Sequence, residues 1–434
     1  MRETVITMNT PPAVAGLHGG LGQVILATIA STAGFWAWMS IAPLQNIYAT
    51  QMGLDQGRIS LMLATPVLVG ALGRIVTGAL TDRFGGRIMF TVVLLASVPA
   101  VLLVALAGSI NSYPLLLVAG FALGIAGTVF AVGIPFSSAW FSPARRGFAN
   151  GIFGMGMIGT AVSAFATPRL AESIGYVQTH FVIAGTLVAV AILTWTFLRN
   201  SPEWKSSSQP LIPKVRGALS LAITWQMSFL YAIVFGGFVA FATYLPKYLT
   251  TLYGDVVDPV GAGTRTALFV AAAVIARPIG GVLADRFGPK VISLISLAGI
   301  VGTAYIVGQQ PPEGVLTGAT FLLMAAAMGL GMGAVFAWIG PLTPPDKVGA
   351  VSGVVAAAGG LGGYFPPLVM GATYQAETNS YALGLWLLVL VGAGALVVAG
   401  MLRDARSGGR GANADPSPSP TTSPSPSPSP SRQG

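Results

Sequence analysis

Long apolar stretches separated by short polar loops dominate the chain. Twelve such runs lie at 21–43, 59–81, 88–108, 113–140, 147–171, 178–198, 218–249, 263–284, 290–308, 314–340, 348–371 and 380–402. Roughly 20 apolar residues cross a bilayer as one α-helix, and these runs are apolar on every face rather than alternating as in a membrane barrel. The pattern therefore predicts an all-α membrane protein with twelve transmembrane helices.

Composition supports the same class. Of 434 residues, 53% are hydrophobic and 8% are charged, whereas soluble proteins carry about 25% charged residues. The 57 glycines suit membrane helices, which pack by bringing their backbones close at small residues. The chain has no cysteine and no metal-ligand cluster, nucleophile–base pair or phosphate loop, so we predict neither metal nor cofactor and no enzyme activity.

The net charge of +9 reflects the membrane rather than nucleic acid, because almost all the charge lies in loops between spans, with most of the 22 basic residues on one side. Four lie on the other side, namely Arg58, Arg169, Lys247 and Arg265. The positive-inside rule then places both termini in the cytoplasm and the protein in the cell inner membrane. His18 and His180 are both expected to lie at the surface.

An internal repeat divides the chain into two like-oriented sets of six helices. Residues 74–87 recur at 277–290, 127–131 at 333–337 and 147–151 at 349–353. Three collinear matches are typical of the parallel repeats of secondary transporters. We predict an N-terminal segment (1–20), a first bundle (21–198), a polar cytoplasmic linker (199–217), a second bundle (218–402) and a disordered Pro/Ser-rich tail (403–434).

Each repeat places one arginine deep in the membrane. Arg74 and Arg277 lie eight residues before the loop acids Asp82 and Asp285, or about 12 Å along a helix. A charge at that depth costs at least about 2.5–3.5 kcal/mol, so it should face a cavity. No acidic residue lies within the body of a span, so a planar anion is the expected partner of the two planar guanidinium groups.

Two phenylalanines also occupy matching places in the repeats. Phe130 in span four and Phe336 in span ten are each preceded by a nearby glycine. We predict that their rings close above and below a small, flat anion.

The loop at 78–87, Gly-x3-Asp-Arg-Phe-Gly-x-basic, and its copy at 281–290 resemble the signature of the major facilitator superfamily. The resemblance implies the two-bundle fold of that superfamily and a cytoplasmic latch that holds one conformation. Its glycines are expected to allow tight helix contact and a sharp loop, and its acids to pair with the adjacent arginines or a helix terminus. The latch residues are Gly78, Asp82, Arg83, Arg87, Gly281, Asp285, Arg286 and Lys290.

Further motifs resemble the nitrate/nitrite porter family within that superfamily, including the Gly-rich stretches at 151–159 and 351–363. The resemblance implies that Arg74 and Arg277 clamp nitrate or nitrite, that Phe130 and Phe336 sandwich it, and that Tyr231 lends a hydroxyl. The residues of the two nitrate-signature helices are Gly151, Gly154, Gly156, Met157, Gly159, Ser352, Gly353, Gly359, Gly360, Gly362 and Gly363. The family usually has Asn where this chain has Met157, which removes a polar contact.

The functional expectation is secondary active transport of nitrate or nitrite by alternating access, through nitrate/nitrite exchange or nitrate–proton symport. The expected partners are the anion, the lipid bilayer and, for symport, protons; nucleic acid is not expected, and the protein is expected to be a monomer. A major facilitator carrier of a small carboxylate such as formate or oxalate is the alternative. A membrane sensor is disfavoured because the linker and tail are the only long segments outside the membrane.

Overall fold

The structure is a computed structural model that describes residues 17–141, 145–206, 211–344 and 347–402. Most of the predicted N-terminal segment and the predicted disordered tail at 403–434 lie outside the described residues. The His18 side chain also lies outside them.

The prediction of twelve transmembrane helices is confirmed. The described residues include 12 helices long and apolar enough to cross a membrane. They are Gly20–Met52, Gln56–Phe84, Gly86–Ser109, Tyr113–Ala139, Phe148–Ile174, Tyr176–Phe197, Ala222–Leu252, Pro259–Phe287, Pro289–Gly308, Val315–Leu342, Val348–Ala372 and Ala382–Met401, here called spans one to twelve. The chain is a multi-pass membrane protein.

Spans five and seven, which carry predicted site residues, depart from α-helical geometry. Span five contains a tighter 3-10 turn at Met155–Ile158, and span seven contains a wider π-helical turn at Ala232–Gly236. Such turns rotate the side chains that follow them, and they are frequent at functional sites and hinges. Periodicity of hydrophobic residues cannot reveal either turn, because both segments are apolar on all faces.

The two repeated loops turn sharply, as expected, at Gly85 (φ 83°) and Gly288 (φ 101°), where a side chain would be strained. A Cβ added at Gly78 or at Gly281 would meet open space, but the backbone of Gly281 lies close to Gly333 of span ten, as the expected tight contact requires.

The basic residue that ends each loop binds within its own bundle. Arg87 donates from Nε and Nη2 to the Trp195 carbonyl at 3.0 and 2.7 Å, near the end of span six. Lys290 donates from Nζ to the carbonyls of Gly400 and Leu402, 2.9 and 2.6 Å away, at the end of span twelve. Each cation satisfies helix C-terminal carbonyls that lack an intrahelical partner. The repeated loops therefore brace each bundle in the same way.

The linker is more ordered than its polar composition indicated. Its second part forms the helix Leu211–Leu219. Its first part lies against the first bundle, where Asn200 Oδ1 accepts from the Arg87 backbone N–H at 3.0 Å and Ser201 Oγ donates to the Ala139 carbonyl at 2.7 Å. Tertiary hydrogen bonds order this segment, which hydrophobic patterning does not report.

The bundles are closed against each other on the face predicted to be outer. Tyr381 Oη donates to Gln56 Oε1 at 3.3 Å, and Arg169 Nη2 donates to Thr264 Oγ1 at 2.8 Å. Gly371 of span eleven lies so close to Ser60 of span two that a Cβ there would clash. All three contacts join the first bundle to the second.

The expectation that His180 lies at the surface is wrong. Its side chain is fully buried inside the first bundle. Its Nδ1 lies 2.7 Å from the Tyr176 carbonyl and its Nε2 lies 3.2 Å from Tyr48 Oη. Both ring nitrogens therefore have partners, as burial of an imidazole requires.

Candidate anion-binding site

Arg74 lies in span two and is buried, with 3% of its surface exposed. Its Cζ lies 5.1 Å from the ring centroid of Phe235, 5.4 Å from that of Phe130 and 5.8 Å from that of Trp38. Aromatic faces within about 6 Å of a cation attract it, so these rings offset part of the cost of burying the charge. Nη1 donates to the Ala356 carbonyl of span eleven at 3.3 Å.

Arg277 occupies the corresponding place in span eight and is partly exposed. Its Nη1 donates to Met157 Sδ of span five at 2.7 Å, and its Cζ lies 5.1 Å from the ring centroid of Phe130. Each arginine therefore reaches across from its own bundle to a glycine-rich span of the other bundle.

The ring of Phe130 lies beside both guanidinium groups. Its centroid lies 5.4 Å from the Arg74 Cζ and 5.1 Å from the Arg277 Cζ, so the two guanidinium carbons are no farther apart than the sum of those distances. Two cations that close repel each other in a medium of low dielectric constant. A bound anion between them would relieve that repulsion.

Tyr231 lies at the edge of the same cluster, directly before the π-helical turn of span seven. Its ring stacks on Phe235 at 5.2 Å and meets Phe336 edge-on at 4.7 Å. Tyr231 and Phe235 both lie against span eleven, where a Cβ added at Gly359 would clash with the Tyr231 ring. The hydroxyl therefore lies deep in the protein and not at an interface with lipid headgroups.

Three buried donors of this cluster have no hydrogen-bond partner among the described residues: Nε and Nη2 of Arg74 and the Tyr231 hydroxyl. The ion pairs in the described part of the chain join Arg58 to Asp55 and Arg265 to Glu313, so neither central arginine has a carboxylate partner there. Unpaired buried donors are costly, which is typical of a site that a ligand completes. Donors and positive charge together fit an oxyanion.

The glycines of the two signature helices differ in what an added Cβ would meet. Most lie against another helix or a site residue so closely that a Cβ would clash, namely Gly156, Gly159, Gly359, Gly360, Gly362 and Gly363. Gly154 faces Arg277, and a Cβ there would lie 3.7 Å from its Cζ. Gly151 and Gly353 face open space, so they do not serve close packing. Ser352 is partly exposed.

All five predicted substrate residues, Arg74, Arg277, Phe130, Phe336 and Tyr231, fall in one cluster of ring and guanidinium contacts. Phe130 lies beside both guanidinium groups, whereas Phe336 contacts Tyr231. The sandwich of an anion between the two phenylalanines stays a prediction.

Sequence reasoning missed Trp38, Phe235 and the Ala356 carbonyl as partners of Arg74. The depth of Trp38 and Phe235 in their spans was a usable signal. A backbone carbonyl partner leaves no signal in the sequence.

The latch residues lie away from this cluster. Arg83 and Arg286 each lie over the ring of the following phenylalanine, at 5.3 and 5.2 Å from Cζ to centroid. The expected pairing of Asp82 with Arg83 is not among the ion pairs of the described residues. Asp82 instead borders a small cavity with Phe136, Asn200 and other residues at the linker. Asp285 lies near the end of span eight, beside its own loop.

Comparison with known proteins gives a consistent result. The sequence profile of the Major Facilitator Superfamily matches residues 24–257 and 227–430. The chain is 53% identical over 373 residues to a protein of Mycobacterium tuberculosis named "Probable nitrate/nitrite transporter NarK2", covering 86% of this chain and 94% of that protein.

Two more distant relatives carry related names. The "Nitrite extrusion protein" of Bacillus subtilis (strain 168) is 36% identical over 84% of this chain and 90% of its own length. The "Probable nitrate transporter NarT" of Staphylococcus epidermidis is 35% identical over 87% of this chain and 95% of its own length.

Solved structures share the fold at low sequence identity. A D-xylose-proton symporter is 15% identical, with a TM-score of 0.69 over 90% of this chain and 99% of that chain. A bacterial homologue of the human lysosomal transporter Spinster, in an inward-facing and unoccupied conformation, is 18% identical, with a TM-score of 0.67 over 88% of this chain and 95% of that chain.

Proposed function

The chain belongs to the major facilitator superfamily and, within it, to the nitrate/nitrite porter family, and we propose on that premise that it transports nitrate and nitrite across the cell inner membrane. The relatives are named as transporters of these anions or as nitrite exporters, and none is named as an enzyme. The single observation that carries the proposal is that Arg74 and Arg277, which have no carboxylate partner among the described residues, lie beside one Phe130 ring.

The anion binds between Arg74 and Arg277, with the Tyr231 hydroxyl as a further donor. The free Nε and Nη2 of Arg74 form a planar fork that matches two oxygens of a planar oxyanion. The surrounding rings exclude water and limit the size of the guest. Nitrate and nitrite are both small, planar and singly charged.

The two bundles rock about this site, and both termini lie in the cytoplasm. The closed outer face and the partial exposure of Arg277 fit a state that is open toward the cytoplasm. In the empty site the cations repel each other, so closure is disfavoured until an anion bridges them. That coupling favours exchange of nitrate for nitrite, because the carrier without a bound anion changes slowly between its inward-open and outward-open states. Symport with a proton is the second mode that the same site allows.

One experiment tests the substrate and separates the two modes. The purified protein is reconstituted into vesicles, and nitrate uptake is measured with nitrite inside, with and without a pH gradient. Uptake that depends on internal nitrite alone indicates exchange, whereas uptake that depends on the pH gradient alone indicates symport. The absence of nitrate uptake under every condition would refute the proposal.

A carrier of a small carboxylate is the competing function, since it would also use both arginines. Inhibition of nitrate uptake by formate and oxalate separates the two. Oxalate is longer than nitrate and doubly charged, so a site walled by Phe130, Phe235 and Phe336 should reject it. Stronger inhibition by oxalate than by nitrite would favour the carboxylate carrier.

A further inference from the structure

The site has an approximate two-fold arrangement in which each arginine contacts the glycine-rich span of the opposite bundle. Arg74 donates to span eleven, and Arg277 donates to span five. The two acceptors differ in chemistry. The acceptor in span eleven is the backbone carbonyl of Ala356, whereas the acceptor in span five is the thioether of Met157. The hydrogen-bond acceptor of Arg277 is therefore a side chain, which a mutation can remove.

The Met157 side chain is held in place by the backbone around it. It lies in the 3-10 turn Met155–Ile158 and is fully buried. Gly156 and Gly159 on either side pack against Ser31 and Thr32 of span one, where a Cβ would clash. Because this backbone packs closely on span one, it places the sulfur beside the Arg277 guanidinium.

A thioether is a weak acceptor that carries no charge and no proton to donate. It can therefore orient a guanidinium without neutralising it and without competing strongly with an anion. An acidic side chain at this position would supply the counter-charge that the substrate is meant to supply. An aliphatic side chain would leave the Nη1 donor without this acceptor.

We propose that Met157 is a positioning residue, whose sulfur orients Arg277 toward the anion while leaving its charge available for the substrate. The inference rests on the proposed function. The sulfur orients Arg277, whereas the two guanidinium groups and Tyr231 bind the anion.

The test compares three variants with the wild type in vesicles. Met157→Leu removes the acceptor at nearly constant volume, and Met157→Gln replaces the sulfur with an amide oxygen at similar length. Met155→Leu is the matched control, since it makes the same chemical change in the same 3-10 turn at a side chain that is 43% exposed. Nitrate affinity is measured by equilibrium binding, and KM and the maximal rate of transport are measured in parallel.

We expect Met157→Leu to weaken nitrate binding and raise KM about five- to twentyfold, since it removes one hydrogen bond to a charged group and a thioether is a weak acceptor. The maximal rate should change less, because the loss affects substrate binding. Met157→Gln should stay within about threefold of the wild type and Met155→Leu should equal it, because each keeps an acceptor at Arg277.

Wild-type affinity in Met157→Leu would overturn the proposal, and so would equal losses in the Leu and Gln variants, which would indicate packing rather than hydrogen bonding. If the wild type does not bind nitrate, the proposed function fails. Binding to the same variants is then measured with whichever of nitrite, formate and bicarbonate the wild type binds. The affinities of the variants for that anion still decide the role of the sulfur.

Discussion

Replacing Arg74 with lysine tests the anion site most directly, because the change keeps the charge and removes the planar fork. In the structure Nη1 donates to the Ala356 carbonyl while Nε and Nη2 are free for a ligand. Lysine has a single ammonium group, which cannot hold the carbonyl of span eleven and grip two oxygens of an anion at once.

The expected loss follows from the bonds that lysine cannot form. At least one charge-assisted hydrogen bond to the anion disappears, and such bonds contribute about 1.5–3 kcal/mol each. Nitrate affinity should therefore fall roughly 10- to 150-fold, since 1.4 kcal/mol corresponds to a factor of ten. The three rings around Arg74 still accommodate a cation, so the protein should fold and insert normally.

The assay is nitrate uptake into vesicles at several nitrate concentrations, with the amount of inserted protein measured for each variant. Arg58→Lys is the matched control, because Arg58 lies at the end of the same span with its side chain 59% exposed and paired with Asp55. If Arg58→Lys takes up nitrate normally and the nitrate affinity of Arg74→Lys is within twofold of that of the wild type, the site assignment is refuted.

Three further predictions concern packing, closure and selectivity. Gly359→Ala should strongly reduce transport, because the added methyl group clashes with the Tyr231 ring; uptake in vesicles measures it. Tyr381→Phe removes one hydrogen bond to Gln56 across the closed outer face, worth about 1 kcal/mol, and should raise the outward-open population about fivefold. The measurement is thiol labelling from outside of a single cysteine introduced by Ser60→Cys, since the chain has none of its own. Bicarbonate, which is planar and singly charged like nitrate, should compete at least about tenfold more weakly, because the unpartnered Nε and Nη2 of Arg74 can only donate and cannot accept from its O–H.

Each of these has an outcome that contradicts it. Gly353→Ala, at a glycine of the same span that faces open space, is the control for Gly359→Ala, and equal losses in both would point to helix flexibility rather than the ring contact. Unchanged labelling in Tyr381→Phe would mean that other contacts hold the outer face closed. Competition by bicarbonate as strong as by nitrite would mean that the site offers an acceptor.

Much of the fold followed from patterns that the bilayer itself imposes. A span must be apolar over its full length, so twelve runs of apolar residues predicted twelve helices, and all twelve are present. The equal depth of Arg74 and Arg277 followed from the repeat and from helical rise. The contact glycines and the local turns did not follow, because a glycine in an apolar run looks the same whether it faces another helix, as Gly359 does, or open space, as Gly78 does.

The amino-acid sequence alone determined that this protein crosses the membrane twelve times in two repeats and places two cations within its spans without a carboxylate. Those properties depend on composition and spacing along one chain. Only the tertiary structure decided which atoms meet: that one Phe130 ring lies beside both arginines, and that Arg277 is held by the Met157 sulfur. Such contacts join residues that are far apart in the sequence, 56 positions for Arg74 and Phe130 and 120 for Met157 and Arg277. Met157 also lies in a 3-10 turn, which hydrophobic patterning along a uniformly apolar span does not encode.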